Sequence, residues 1–495
     1  MGNQLYSDNI PSLSLSYGIP ANSDFIRRLA TNGFFSKVNY NFQEKYLVEF
    51  NGRYDATSRF LANSRWKFYP GVALGWNIDK ESFFETLQPI VNAFKLRGSY
   101  GSLGDQGFLD PDPNNPNYYP FYPNLGTNRA TNNSWLFDGA QQASVSPPGL
   151  VNPNLTWVTT KQLNLGTDIR FFDNRLETTF DWYIRKADDF ATAGAEVPSV
   201  LGTVVPLVNN SGLKTTGFEL AVTWRDQIGE VGYGAKVILS DYRSEITSFP
   251  NNVANSFNNY YVGKQQGEIW GYETVGLFQS EAEVSSSPDQ SKINGSAWTP
   301  GDVRYADLNG DGKIDWGNST LDNPGDMRII GNNTPRYSYS FNGNINYKGF
   351  DLSIFLQGIG KRDAWVGSNY FWGIVGDEWQ SIVYKEHLNR YSEENPNGYF
   401  PKPYLTSQNG KNTQTQTRYL QNAAYLRIKN LQVGYTVPND WLEKIRIGAL
   451  RVYFSVDNLA TFTKLIKTMD PELSINEAKI YPLNRVYSFG LNISL

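Results

Sequence analysis

The chain closes on R-V-Y-S-F-G-L-N-I-S-L, Arg485 to Leu495. Tyr487, Phe489, Leu491, Ile493 and Leu495 fall at every second position, with Ser488, Gly490, Asn492 and Ser494 between them. A side-chain period of two belongs to a strand with one apolar and one polar face. Working back towards the N-terminus, the same period recurs at 450–456, 431–437, 350–356, 337–347, 231–239 and 218–224. It recurs again at 176–184, 163–171, 94–100, 66–78, 46–54 and 34–42, about thirteen runs in all. Leu426 and Ile428 sit out of phase with Leu431, which predicts a bulge near Asn430.

The apolar parity of these runs carries no Asp, Glu, Lys or Arg, while the other parity holds many. Lipid would impose that pattern, since a mid-bilayer Lys or Arg costs about 2–4 kcal/mol, but a soluble core would impose it too. Length separates the two. Runs of about ten residues suit the tilted strands of roughly 9–11 residues that cross a bilayer, whereas soluble strands average about five or six. The connections agree. They are tight after Phe42, Phe171, Trp224 and Tyr347, and long over 104–154, 186–213, 248–334, 362–421 and 462–481. Such alternation fits a barrel with short periplasmic turns and long outer loops, the C-terminus being periplasmic. The exceptions are 81–92, which reads as a short helical linker, and 438–448.

Composition narrows the function classes. Aromatics make up 15% of 495 residues, which suits ring-rich lipid–water boundaries. Lys+Arg 44 against Asp+Glu 48 gives −4 with no basic block, so no nucleic-acid partner is expected. Cysteine is absent and His387, which reads as a solvated loop residue, is the single histidine. Thiolate and histidine-based chemistry therefore have almost nothing to work with. No apolar run is long enough for a membrane helix. Neither a G-x-S-x-G elbow nor a phosphate loop is present, and no carboxylate pair stands out, so an enzyme is not expected. Met1–Gln4 opens no signal peptide, and thirteen is odd where single-chain bacterial barrels are even. The expectation is a piece of a larger polypeptide, or a further strand near Ser12–Tyr17.

Several segments carry a family resemblance: N-G-R-Y-D-A-T-S-R-F (51–60), W-K-F-Y-P-G-V-A-L-G-W (66–76), K-L-R-G-S-Y-G-S-L-G (95–104) and Y-L-R-I-K-N-L-Q-V-G-Y-T-V-P (425–438). D-L-N-G-D-G-K-I-D (307–315), D-N-L-A-T-F-T-K (457–464) and the stretch 481–495 complete the set. Together they resemble the SusC/RagA-type TonB-dependent transporters. Ser488, Gly490, Ile493 and Leu495 also resemble the terminal insertion signal of outer-membrane barrels, with leucine where an aromatic is usual. The resemblance implies an all-β, transmembrane antiparallel barrel of 22 strands. Residues 34–495 would be its C-terminal portion and 1–33 an extracellular loop or partial barrel segment, with the N-terminal plug domain and TonB box outside this chain. It further implies active import of oligosaccharides or oligopeptides across the outer membrane. A SusD-like surface lipoprotein would act as lid, and the TonB–ExbB–ExbD complex would supply energy. A passive porin and a soluble glycan-binding β-protein are the alternatives.

Two constellations could form sites. Asp307, Asn309, Asp311 and Asp315, with the Lys313 carbonyl, follow the spacing of a calcium loop. Asn318 replaces the closing glutamate and Asp322 or Asp326 could substitute, so a structural Ca2+ or Mg2+ is expected, with no organic cofactor. The bland reading is a metal-free Asp/Asn/Gly turn. Loop aromatics Tyr118, Tyr119, Trp270, Tyr272, Trp365, Tyr370, Trp372 and Trp379 are candidate substrate-binding residues, because ring faces stack on sugars. For each, loop packing is the competing explanation.

Overall fold

A computed structural model describes residues 28–109, 148–194, 205–295, 297–374, 383–405, 407–442, 447–473 and 483–494, with shorter pieces between them. Thirteen strands form one antiparallel meander. They are β1 Thr31–Phe42, β2 Tyr46–Thr57, β3 Trp66–Asn77, β4 Val91–Asp105, β5 Val158–Phe171, β6 Leu176–Ala193 and β7 Leu207–Ile228. β8 Val231–Ser248, β9 Arg336–Tyr347, β10 Phe350–Lys361, β11 Tyr425–Thr436, β12 Ala449–Thr463 and β13 Val486–Ser494 follow. Strand order in the sheet is the order in sequence, and the sheet is open, with β1 and β13 at its edges. Ser16–Tyr17 pairs with Gln4–Leu5 in a separate ribbon and adds no strand to the sheet.

The tight turns form where left-handed backbone is cheapest or tolerated. Gln43 and Glu44, Phe172 to Asn174, Gly229, and Lys348 with Gly349 all take positive φ. The phase change before Leu431 is a bulge: pairing with β10 and with β12 skips Lys429. One connection is shorter than its sequence suggests. β6 and β7 stay paired to Ala193↔Leu207, beyond Lys186 and Leu213, with register shifts around Asp188, Asp189 and Asn210. Those shifts break the period of two, which hid the extension. The 81–92 linker is built of 3-10 turns, Ile78–Lys80 and Ser82–Leu87.

The apolar parity faces outward along the whole sheet. Phe34, Phe50, Phe68, Leu74, Leu165, Val237, Ile345 and Phe489 are all exposed large side chains. Aromatic rings collect at the tight-turn end: Tyr46 stacks on Phe42 and on Trp76, Phe172 meets Trp224, and Phe350 meets Tyr435. At the other end the same parity reaches a cationic rung, Lys161↔Lys186↔Lys214. Ten residue steps separate Lys161 from Phe171 on β5. At about 3.4 Å per step and a tilt of about 40°, the belt is roughly 26 Å tall. That matches the apolar band of a barrel membrane protein. On β8 the belt ends where Asp241 follows Leu239, its carboxylate bonded by the Arg336 guanidinium of β9.

Candidate functional site: a charged wall and a folded cap

The opposite parity is a wall of paired charges. On β4, Arg97 binds Asp168 of β5 at 3.0 Å and Asp181 of β6 at 2.6 Å. The guanidinium lies across Gly166, where a Cβ would meet it at 2.6 Å, so a side chain there would push this ion-paired rung aside. Arg451 of β12 binds Asp351 of β10 at 2.6 Å, and Lys37 of β1 binds Glu49 of β2 at 2.9 Å. Such a face tolerates water and polar contacts, not hydrocarbon.

At the end opposite the tight turns, three loops fold into one cap. Tyr305 from the β8–β9 connection, Phe371 and Tyr419 from β10–β11, and Leu465 and Met469 from β12–β13 share a single buried core. Two short ribbons stiffen it: Glu268–Tyr272 with Met327–Asn332, and Thr274–Leu277 with Val303–Tyr305. An ion pair sits inside. Lys411 and Asp302 are both fully buried and 2.7 Å apart. Asp302 also accepts from Tyr404 Oη, Asn412 Nδ2 and the Thr299 amide, each at 2.9 Å. Lys411 donates to the Ala297 carbonyl at 2.7 Å and lies over the Tyr404 ring. Burial pushes the Tyr404 phenol well above its ordinary value. The cap is tied to the wall by Arg427 of β11, which is buried and holds Asp470 at 2.6 Å and Glu472 at 3.0 Å.

The aspartate turn lies in this cap. Asp307 accepts from the Gly310 and Gly312 amides, at 2.6 and 2.9 Å. Asn309 accepts from Asp311, Asp311 from Lys313, and Asp315 from Gly317. Asp326 is fully buried beneath and accepts from Leu308 and Asp315, at 2.7 and 2.9 Å. Burial raises its carboxyl above the ordinary range. These oxygens close the turn on its own backbone. Among the described residues no three His, Cys, Asp or Glu side chains gather as a group.

The aromatic candidates divide. Tyr272 and Trp372 are buried, with Trp372 Nε1 donating to the Val366 carbonyl at 3.0 Å, and Trp365 and Tyr370 pack against the same core. Trp270 stacks on Phe257 at 4.6 Å, and Tyr118 lies under the Arg59 guanidinium. Tyr119 accepts from the Arg28 amide and lines a cleft of about 270 Å3 with Asn152 and Pro206. Trp379 and Leu495 lie outside the described residues. His387 is not solvated: it is buried, with Nδ1 accepting from the Tyr384 amide and Nε2 2.9 Å from the Phe371 carbonyl. A cleft of about 550 Å3, lined by Lys385, Glu386, Tyr399, Gln421, Lys464 and Lys467, has no counterpart among the residues singled out from the sequence. Its lysines come from two loops, and no local spacing signals that they meet. Of the terminal residues, Ser488, Gly490 and Ile493 lie on the edge strand β13, and the Tyr453 ring covers Gly490 where a Cβ would stand.

Bilayer-length meandering strands, an apolar belt, an ion-paired opposite face and a cap at one end define the wall of a large outer-membrane β-barrel. The chain resembles the TonB-dependent receptors: residues 2–240 match the family described as TonB dependent receptor-like, beta-barrel. It is 28% identical over 95% of its length to the TonB-dependent receptor P3 of Formosa agariphila, covering 46% of that protein. It is 25% identical over 93% of its length to the TonB-dependent receptor SusC of Bacteroides thetaiotaomicron, covering 43% of it. Among solved structures, the RagAB peptide transporter superposes with a TM-score of 0.72 at 25% identity, over 98% of this chain and 50% of that one. The chain spans about half the length of the relatives it matches.

Proposed function

We propose that this chain supplies barrel wall and outer cap to an active importer of the outer membrane. Its cargo is an oligosaccharide or oligopeptide, captured with a SusD-like lipoprotein over the cap. Energy comes from the TonB–ExbB–ExbD complex through parts of the transporter beyond this chain, and the C-terminus is periplasmic. The observation that carries the reading is a bilayer-high apolar belt with a structured cap at one end only. A simple pore needs no such buried core in its loops. Similarity to SusC and to a peptide transporter supports an oligomeric cargo. The cleft with Lys385, Lys464 and Lys467 against one acid, Glu386, favours cargo bearing anionic groups. Deletion of the gene should abolish growth on the cognate oligomer while monomer use persists, and Lys464→Gln with Lys467→Gln should weaken cargo binding. Recovery in a salt-washable soluble fraction, or import unaffected by loss of TonB, would sink the proposal.

A further inference from the structure

We propose that the connection between β3 and β4, residues 78–90, is a membrane anchor lying in the interfacial layer of the lipid. The connection turns onto the apolar side of the sheet, away from the charged wall. Phe84 is buried against Phe94, ring centroids 6.1 Å apart, and Phe94 shares its parity with Leu96 and Tyr100. Glu81 accepts from Tyr46 Oη at 2.8 Å and from Trp76 Nε1 at 3.1 Å, and those two rings form one outward-facing rung. Beyond these contacts Phe83, Leu87 and Ile90 project outward, 65%, 50% and 54% exposed. Their surface is continuous with the aromatic end of the belt, so the medium that covers the belt covers them.

The backbone suits that medium. Amides of Glu81, Phe84, Gln88 and Ile90 bond to carbonyls three residues back, leaving few groups to seek water. Lys45 pairs with Glu81 and Lys80 with Glu44, which suits the headgroup level. An apolar body on a charged rim is the make-up of an element that lies in the interface without crossing it.

This inference rests on the reading that the belt faces lipid, and one experiment separates the two. The chain has no cysteine, so single cysteines replace Phe83, Leu87, mid-belt Leu165 or the exposed cap residue Val253, in the complete protein. Each is labelled with an environment-sensitive dye in phosphatidylethanolamine–phosphatidylglycerol vesicles. Labels at 83 and 87 should emit to the blue of the label at 253 and be quenched more by shallow than by deep lipid nitroxides, with the order reversed at 165. Water-like emission at 83 and 87 beside quenching at 165 overturns the anchor alone. Water-like emission at all three overturns the belt as well. A blue shift present in cells and absent from vesicles assigns the surface to a periplasmic protein and also overturns the anchor.

Discussion

Truncating Lys411 to alanine should open the cap while leaving the wall intact. Both members of the Lys411–Asp302 pair are inaccessible to solvent. Without the ammonium, Asp302 keeps four neutral donors, Tyr404, Asn412 and the amide and hydroxyl of Thr299, but loses the counter-charge 2.7 Å away. Breaking a buried pair by removing one partner costs about 3–5 kcal/mol, or roughly 150- to 5,000-fold in the equilibrium for local opening. Hydrogen exchange on the membrane-embedded protein reads this directly. Amides of 299–305 and 411–416 should lose protection by that factor, while β8 and β9 keep theirs. The double variant Lys411→Met with Asp302→Asn should recover most of the loss, because no charge is then stranded. Less than a tenfold change in the single variant would refute the buried pair as the cap's fastening. Equal loss along β8 and β9 would refute a cap that opens apart from the wall.

Other outcomes follow from the same geometry. Asp326 holds two backbone amides, and burial raises its carboxyl. The folded cap therefore binds this proton more tightly than the unfolded chain, and its melting point should fall as pH rises from about 3.9 through the raised value. Asp326→Asn should flatten that dependence and, by orphaning one amide, cost about 1–3 kcal/mol. Calcium and chelator should leave cap melting unchanged, since the turn's oxygens serve its own amides. A rise with calcium that Asp311→Ala abolishes would place a cation there. Leu165→Arg, on a rung with Trp182 and Phe218, should cost about 2–4 kcal/mol in folding into vesicles, while Asn164→Arg on the charged parity should be tolerated.

The wall was legible in the sequence because its physics is local. A period of two along Leu163–Phe171 or Val231–Leu239 needs no partner strand to be seen, and the turns announce themselves in Lys348-Gly349 or Asp173-Asn174. Long-range consequences were not legible. Lys161, Lys186 and Lys214 each read as one more polar residue, and only register sets them in a row that marks the edge of the belt. The loops were harder still. Tyr272 and Trp372 look like open stacking platforms in sequence, yet they fill a core assembled from three connections far apart in the chain. His387 was misjudged for the same reason: Lys385 and Glu386 beside it suggest solvent, while the Phe371 carbonyl that receives its ring comes from elsewhere in that connection. The aspartate turn matches a metal motif by spacing, whereas the bonds its oxygens accept from the turn's own amides emerge only in the fold.

The central claim is that one face of the sheet touches hydrocarbon. Spin labels at consecutive cysteines from Val231 to Tyr242 on β8, in outer-membrane vesicles, test it most directly through collisions with oxygen and with a water-soluble nickel complex. Oxygen access should peak at 233, 235, 237 and 239 and nickel access at 232, 234, 236 and 238, the alternation ceasing at Asp241. Odd-numbered positions closed to both reagents would mean those side chains are packed against protein, and the account of a membrane wall would be wrong.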